Sequence, residues 1–328
     1  MIEGQQSTAR QEWGRTALVG ATGFVGGVLS RAVSVDAAYA SATIDTITGE
    51  AFDTVVCAGA PAAMWKANAD PEGDRRNLDR LIQALSGATI GRLVLISTIA
   101  VLADPSSGAD EDTEVFETAT AYGRNRRGLE MALGQRFDTV VLRLPALFGP
   151  GLKKNFLFDL RHPAPSFLKP DAFADLCRRL SDADAARLGP LYGHDSATGL
   201  LALDRARFDA SAERDELNQA IVGAGFAAAR FTHADTTFQF YGLRGLAGDI
   251  DRAISLGLST LHLATEPWRA GDLHERLTGR AFDNTGPAAR HEDMRTRHAT
   301  AFGTTGPYLK SREAVLEDIR AEWEAGAW

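Results

Sequence analysis

The sequence predicts an α/β fold built around a parallel β-sheet, and two stretches of the chain carry most of this prediction. In the first, a short apolar run at residues 16–19 leads into three glycines spaced three apart and then into an apolar segment of helical length, residues 24–33. The second, residues 92–98, is a continuous apolar run typical of a strand buried in a parallel sheet. We therefore expect strands that alternate with helices and share one ligand-binding edge.

Composition and charge narrow the class of protein. The chain has 328 residues, of which 45% are hydrophobic and 24% charged, as in an ordinary globular protein. Its net charge of −8 argues against a general nucleic-acid or membrane binder. Cys57 and Cys177 form neither a disulfide framework nor a zinc motif, and the seven histidines show no ligand spacing, so we expect no metal site and a cytoplasmic location. Residues 1–15 are polar and are expected to form a loose leader, and no apolar run reaches membrane-spanning length.

The three glycines suggest a phosphate-binding turn between a strand and a helix. Gly20 would allow the turn, Gly23 would let a pyrophosphate approach the backbone, and Gly26 would let the helix pack closely on the strand. The free N–H groups of the helix N-terminus would then face the phosphates. The neighbouring residues expected to contact the cofactor are Thr22, Phe24 and Val25. This pattern alone also fits a glycine-rich turn in another α/β protein.

The next elements are predicted to complete the cofactor site. A second strand is expected at residues 42–44, with Asp45 after it as the candidate ligand of the adenosine ribose, and little chain remains for the helix that normally follows. A third strand at residues 54–59 and a helix at residues 74–85 come next. The small residues where the third strand ends, and where the cofactor would pass, are Ala58, Gly59 and Ala60. The strand at 92–98 ends in Ser97 and Thr98, which are expected to point at the site.

The remaining chain is predicted to alternate between helices, strands and loops. An acidic loop at 103–120 precedes a helix that places Tyr122 and Arg126 on one face, because they lie four residues apart. The other expected elements are a strand at 139–144, a turn at 145–151, amphipathic helices at 172–180 and 213–224 in an otherwise helical and loop-like region, strands at 236–241 and 260–264 flanking a helix at 246–256, and a last helix at 311–323 capped by Ser311.

Four features in this order resemble the extended short-chain dehydrogenases, the NAD-dependent epimerase/dehydratase family. They are the glycine turn, the strand that ends in Ser97-Thr98, Tyr122 about two dozen residues later, and the Arg-Leu-Pro-Ala-Leu-Phe-Gly-Pro-Gly segment at 143–151. The resemblance implies a doubly wound parallel Rossmann sheet with a smaller, mostly helical C-terminal substrate domain. It places the dinucleotide-binding domain at residues 16–150 plus about 232–265, and the substrate domain at about 151–231 plus 266–328.

The resemblance also implies roles for individual residues. Tyr122 would be the general acid/base, Thr98 would bind the same substrate oxygen, and Arg126 would take the place of a lysine that holds the nicotinamide ribose and lowers the pKa of the tyrosine. Pro145 would contact the cofactor and Ala146 the substrate. NAD or NADP is the expected cofactor, with NAD preferred, and a nucleotide-activated sugar is the expected substrate. A homodimer is also expected.

Three departures from the family pattern affect the expected chemistry. Arg126 keeps the charge of the usual lysine but is planar and bulkier. Ile99 and Ala100 replace the acidic pair of the dehydratases, which argues against dehydration. Ala146 replaces an asparagine that binds the sugar diphosphate in many members. Phosphate contacts could come instead from the segment Lys153, Lys154 and Asn155, which is equally compatible with a solvated surface turn.

Two functions therefore follow from the sequence. The first is an NAD(P)-dependent epimerase or ketoreductase that acts on a nucleotide-activated sugar by tyrosine acid/base catalysis and hydride transfer. The alternative is a catalytically weak or inactive dinucleotide sensor or assembly protein of the same fold, suggested by Arg126 and the missing acidic pair.

Overall fold

The computed structural model describes residues 13–196 and 198–328, which form two compact units. The first unit contains the chain up to Leu152 together with Phe238–Trp268 and His291–Trp328. The second contains Lys153–Thr237 and Arg269–Arg290.

The strands and helices are numbered in chain order. The strands are β1 Thr16–Val19, β2 Ala37–Tyr39, β3 Ala51–Cys57, β4 Thr89–Thr98, β5 Thr139–Leu144, β6 Ala146–Phe148, β7 Phe167–Leu168, β8 Tyr192–Asp195, β9 Leu200–Leu203, β10 Thr237–Phe238, β11 Phe240–Gly242, β12 Thr260–His262 and β13 Trp268–Arg269. The helices are α1 Phe24–Ala32, α2 Met64–Ala69, α3 Pro71–Ser86, α4 Ala121–Gly134, α5 Phe156–Arg161, α6 Pro170–Arg179, α7 Asp182–Leu188, α8 Arg205–Asp209, α9 Arg214–Gly223, α10 Leu246–Ser255, α11 Ala270–Thr278 and α12 Arg312–Glu324.

The first unit is built on a six-stranded parallel sheet with the strand order β12-β5-β4-β3-β1-β2. This sheet confirms the predicted α/β fold class. The chain moves from β1 to one side for β2 and to the other side for β3, so the strand order reverses at β1. In open parallel sheets, the crevice beyond the carboxyl ends of the strands at such a reversal is the usual ligand site. A ligand site is therefore expected at the loops after β1 and β3.

Helices cover both faces of this sheet because successive side chains of a strand point to opposite faces. On one face, strand residues such as Leu18 and Val94 pack with α1 and α10. On the other face, residues such as Val55 and Leu93 pack with α3 and α4. Burial on both sides explains why the central strands read as continuous apolar runs in the sequence.

The two ends of the chain depart from the predicted division. Residues 1–12 of the expected leader lie outside the described residues, but Trp13 is buried in the core and its indole Nε1 donates to Asp251 at 3.3 Å. The backbone N–H of Arg15 donates to Asp53 at 2.7 Å. Residues 13–15 are thus part of the fold, contrary to expectation. The segment His291–Trp328, expected in the substrate domain, lies in the first unit, where Trp328 packs edge-on against Phe148.

Three local predictions were wrong for identifiable reasons. The second strand is Ala37–Tyr39, while residues 44–47 form a 3₁₀ helix whose Ile44 and Ile47 are buried. The predicted turn at 145–151 contains β6, which pairs with β11. The second unit is not only helical and loop-like, because β7, β9 and β8 form an antiparallel sheet there. Strands of two to four residues are too short to show a clear alternation in sequence.

The described residues contain neither a membrane-spanning helix nor a metal-binding cluster. No helix within 13–196 and 198–328 is long and apolar enough to cross a membrane. In the same part of the chain, the histidine, cysteine, aspartate and glutamate side chains form no group of three that could hold a metal ion.

Candidate active site

The turn after β1 has the steric design that its glycines suggest. Gly20 has φ +86°, and a Cβ at this position would lie 2.4 Å from the carbonyl oxygen of Ala58, which follows β3. A Cβ on Gly26 would lie 2.1 Å from the carbonyl oxygen of Gly20. Both distances are far below van der Waals contact, so only glycine permits the turn to approach β3 and the helix to approach the turn.

Gly23 leaves the start of α1 open. It is the N-cap residue, no side chain caps the helix, and no acidic residue lies in the first turn. Thr22 and Gly23 are exposed, while Phe24 and Val25 are half-buried. The first N–H groups of a helix have no partner within the helix and carry partial positive charge. This helix N-terminus therefore suits an anionic group such as a diphosphate.

The small residues after β3 lie beside the glycine turn and form part of the same crevice. The backbone N–H of Ala58 donates to the carbonyl of Val19 at 2.9 Å, which extends the pairing of β3 with β1. Ala58, Gly59 and Ala60 are half-buried. Because none of these residues has a side chain larger than a methyl group, the space above them is left to a ligand. Their predicted contact with a cofactor fits this placement.

Asp45 does not lie where the prediction placed it. Strand β2 ends at Tyr39, and Asp45 belongs to the 3₁₀ helix that follows. Its carboxylate pairs with the exposed guanidinium of Arg80, whose Nε lies 3.1 Å from Oδ1, and this hydrogen bond lowers the pKa of Asp45. The residues directly after β2, Ala40 and Ser41, carry no carboxylate. An acidic ligand for the adenosine ribose is therefore missing from the end of this strand.

Tyr122 and Thr98 come together at the carboxyl end of β4. Thr98 is the last residue of β4, and its side chain lies close enough to that of Tyr122, in the first turn of α4, to lower the pKa of the phenol. A Cβ on Gly123 would lie 2.1 Å from the carbonyl oxygen of Ala100. Gly123 thus allows the first turn of α4 to approach the end of β4. The pair of hydroxyls predicted from the sequence is brought together.

The protonation of Tyr122 differs from the expectation. The side chain is 9% exposed, and burial, the largest influence, raises the pKa of its phenol. The guanidinium of Arg126, centred 4.3 Å from the ring, and the side chain of Thr98 lower the pKa, but they do not offset burial. The net pKa of Tyr122 is raised, so the nearby cation does not bring the phenol close to ionising at neutral pH.

Arg126 is held by partners within the protein. Its Nη1 donates to Asp74 Oδ2 at 2.5 Å, and its Nη2 donates to the carbonyl of Pro61. Its Nε is buried without a hydrogen-bond partner. The side chains of Arg126 and Asp74 are 3% and 5% exposed. Arg126 therefore lies beside Tyr122, as predicted, but Nη1 and Nη2 each donate within the protein and the buried side chain offers a ribose little access.

Ser97 faces a different set of partners from Thr98. Its Oγ donates to Glu130 Oε1 at 2.6 Å. Glu130 also accepts two hydrogen bonds from Arg143, at 3.1 and 2.8 Å, and one from Arg127 at 2.8 Å. Burial works to raise the pKa of Glu130, but Arg143, Ser97 and Arg127 together lower it. The Ser97 hydroxyl is thus engaged in tying β4 to α4, which weakens its predicted role as a cofactor ligand.

The other predicted binding residues are distributed over both units. Pro145 is buried after β5, and the N–H of Ala146 donates to the carbonyl of Gln239 at 3.1 Å. Lys153 and Lys154 are exposed residues of the second unit. Asn155, also in that unit, has φ +134°, and its Oδ1 accepts from the N–H of Phe158 at 3.2 Å as the N-cap of α5. Capping accounts for the Asn155 side chain without a ligand.

Sequence reasoning missed two residues that orient α4. Asn68 Oδ1 accepts from the N–H of Tyr122 at 2.9 Å and so caps α4 from outside, since Thr120 makes no side-chain cap. Asp74 binds Arg126 and also accepts from Asn125 Nδ2 at 2.9 Å. Asp74 could have been noticed, because it precedes Leu78 by four residues on the apolar face of α3. A carboxylate on a buried helix face calls for a buried partner.

The fold and the open glycine turn define a doubly wound, Rossmann-like α/β protein. Residues 30–169 also match the model of the NAD dependent epimerase/dehydratase family. The match includes Thr98, Tyr122, Arg126 and the 143–151 segment, and it confirms the family resemblance predicted from the sequence. A search of curated proteins gives no significant match.

Solved structures share the fold along nearly the whole chain. A dTDP-4-dehydrorhamnose reductase from Bacillus anthracis in complex with NADP is 13% identical, with a TM-score of 0.58 and coverage of 94% of this chain and 98% of that one. A UDP-N-acetylglucosamine 4-epimerase from Methanobrevibacter ruminantium in complex with UDP-N-acetylmuramic acid is 13% identical, with a TM-score of 0.57 and coverage of 96% and 99%. MoeE5 in complex with UDP-glucuronic acid and NAD is 15% identical, with a TM-score of 0.57 and coverage of 96% and 100%. At these identities the similarity shows the fold alone.

Proposed function

We propose that this protein is an NAD(P)-dependent epimerase or ketoreductase that acts on a nucleotide-activated sugar. The observation that carries the proposal is the proximity of the Tyr122 and Thr98 side chains at the carboxyl end of β4, on the same sheet edge as the open glycine turn after β1. A proton donor and a diphosphate-binding turn at one edge are what hydride-transfer chemistry on a carbonyl or alcohol requires.

The residues after β1 and β3 fit a dinucleotide. The uncapped N-terminus of α1 would bind its diphosphate, and Gly23, where a Cβ would meet only the Gly20 carbonyl oxygen at 3.2 Å, would let it approach the backbone. When bound, a nicotinamide dinucleotide supplies or accepts a hydride. The Tyr122 Oη would give a proton to the reacting oxygen of the sugar or take one from it, and Thr98 Oγ1 would orient that oxygen.

The proposal of a nucleotide-sugar substrate rests on the structural neighbours, and the exclusion of dehydration rests on the residues that follow β4. The neighbours named above are enzymes of nucleotide sugars or were solved with such ligands. Ile99 and Ala100 provide no carboxylate next to Thr98, so proton removal from a sugar carbon for dehydration has no base there. We assign the dinucleotide to the first unit and the nucleotide part of the sugar substrate to the second, with Lys153 and Lys154 as candidate phosphate ligands.

The test is the rate of NADH or NADPH oxidation with a nucleotide-linked 4-keto sugar, and the interconversion of nucleotide sugars in the absence of added cofactor. Tyr122→Phe is expected to lower kcat by about 10²–10⁴-fold, because it removes the transferable proton and keeps the ring. Calorimetry should show that this variant still binds the dinucleotide. Gly23→Glu, which places a carboxylate at the anion-binding helix N-terminus, should lose both binding and turnover.

The same two variants distinguish the proposed enzyme from the alternative function. The alternative is a dinucleotide sensor or assembly protein. The contact of Arg126 with Asp74 favours it, because Arg126 is then engaged within the protein and not with a nicotinamide ribose. In that case Tyr122→Phe would leave every effect of the protein intact, while Gly23→Glu would abolish it. That pair of results would refute the proposed chemistry and leave dinucleotide binding as the function.

A further inference from the structure

A buried ion pair lies directly beside Tyr122. The guanidinium of Arg126, 4.3 Å from the centre of the phenol ring, donates to Asp74 Oδ2 at 2.5 Å, and both side chains are at most 5% exposed. Asn125 Nδ2 donates to the same carboxylate oxygen at 2.9 Å. Asp74 comes from α3, whereas Tyr122, Asn125 and Arg126 come from α4, so the pair also joins the two helices.

The pair changes the electrostatics of the site. A lone guanidinium at this distance would favour the phenolate, but the carboxylate of Asp74 opposes it and raises the pKa of Tyr122. Since Arg126 and Asp74 are in contact, the carboxylate offsets part of the effect of the guanidinium on the phenol. Burial then dominates, and burial disfavours the charged phenolate.

We propose that Asp74 is a positioning residue that holds Arg126 beside Tyr122 and partly offsets its charge, which favours the protonated Tyr122 hydroxyl as a proton donor. This inference rests on the proposed function and selects its direction, the reduction of a carbonyl. The Tyr122 O–H bond breaks, its electron pair stays on the phenolate, and the proton bonds to the sugar oxygen whose carbon accepts the hydride from NADH or NADPH. Solvent then returns a proton to the phenolate.

The direct test is the titration of Tyr122 without cofactor or substrate. Nuclear magnetic resonance of protein labelled at tyrosine Cζ gives one signal for each of the five tyrosines, and Tyr122→Phe identifies the relevant one. In Asp74→Asn, the unopposed guanidinium should raise the phenolate-to-phenol ratio of Tyr122 by roughly tenfold at a fixed alkaline pH. Asp79→Asn, which changes an exposed carboxylate of the same helix, should leave the ratio unchanged.

A second variant separates electrostatics from loss of structure. Asp74→Asn leaves a buried cation without its partner and could loosen α4, which would expose Tyr122 and also favour its ionisation. The double variant Asp74→Asn with Arg126→Met removes both charges, so its Tyr122 should titrate no more easily than in the wild type. If the double variant titrates as easily as Asp74→Asn, the effect is structural and the inference is overturned. Restoration of the wild-type titration by Asp74→Glu supports it.

Kinetics test the inference separately from the proposed function. In the wild type, the rate of carbonyl reduction should fall only in the alkaline range where Tyr122 ionises, and in Asp74→Asn this fall should begin at lower pH. A Tyr122 signal that does not move in Asp74→Asn overturns the role of Asp74 even if the wild type reduces a keto sugar. A signal that moves as expected supports that role even if no sugar is turned over, in which case only the proposed function fails.

Discussion

Gly26 and Gly27 are neighbouring helical residues with opposite steric demands, and substitutions there test the packing of the glycine turn after β1. A Cβ at Gly26 would lie 2.1 Å from the Gly20 carbonyl oxygen, whereas the nearest atoms to a Cβ at Gly27 lie at 3.8 and 3.9 Å. Gly26→Ala should therefore push α1 away from the turn, lower the free energy of unfolding by about 1–3 kcal/mol and weaken dinucleotide binding. Urea unfolding and calorimetric titration measure the two effects.

The control substitution at Gly27 should have the opposite sign. Alanine at this position meets no close atom and removes the flexibility of a helical glycine, so Gly27→Ala should raise stability by about 0.4–1 kcal/mol. Dinucleotide affinity should stay unchanged. Equal losses in the two variants would mean that Gly26 does not set the distance between the helix and the turn.

At the scale of the elements, the charge of Glu130 anchors α4 to β4 and β5. Its carboxylate, 1% exposed in the side chain, binds Arg143, Ser97 and Arg127. Glu130→Gln leaves the buried Arg143 without its anion and should lower the free energy of unfolding by about 3–5 kcal/mol near neutral pH. Glu114→Gln, which changes an exposed carboxylate in the loop before α4, should have little effect on the urea midpoint.

The contribution of Glu130 to stability should also depend on pH. The pKa of Glu130 is lowered in the folded protein, so its contribution to stability is complete above the ordinary glutamate pKa and is lost as the pH falls through the lowered value. Wild-type protein should therefore lose more unfolding free energy between neutral and strongly acidic pH than Glu130→Gln does. Parallel slopes for the two proteins in urea titrations at a series of pH values would contradict this anchoring.

Sequence patterns predicted the elements whose periodicity is long and local, and missed those fixed by distant contacts. Strand β5 and helix α1 were placed almost residue for residue, because apolar runs and glycine steric rules are visible in the chain itself. The three-residue β2 was misplaced because its pairing with β1 decides its position. The partners of Arg126 and Ser97, namely Asp74 and Glu130, could not be read from spacing, because buried ion pairs form between separate elements.

At the scale of the whole molecule, each unit has its own hydrophobic core. Apolar residues on both faces of the sheet fill the first unit, and a separate cluster that includes Phe208 and Leu217 fills the second. A ligand that binds only the folded state adds stability to the unit that holds it. If the dinucleotide binds the glycine turn, the first unit should be the one that gains.

The corresponding prediction is a ligand-dependent melting temperature. At a hundredfold excess over its Kd, NADH or NADPH should stabilise the wild type by about 2.7 kcal/mol and raise the midpoint of calorimetric unfolding by several degrees. Gly23→Glu should keep the fold, since Gly23 has φ −77° and a Cβ there would meet only the Gly20 carbonyl oxygen, at 3.2 Å. Its carboxylate would nevertheless occupy the helix N-terminus, so this variant should show no increase. An unchanged wild-type midpoint with both cofactors, or an equal increase in Gly23→Glu, would place any bound dinucleotide away from the turn after β1.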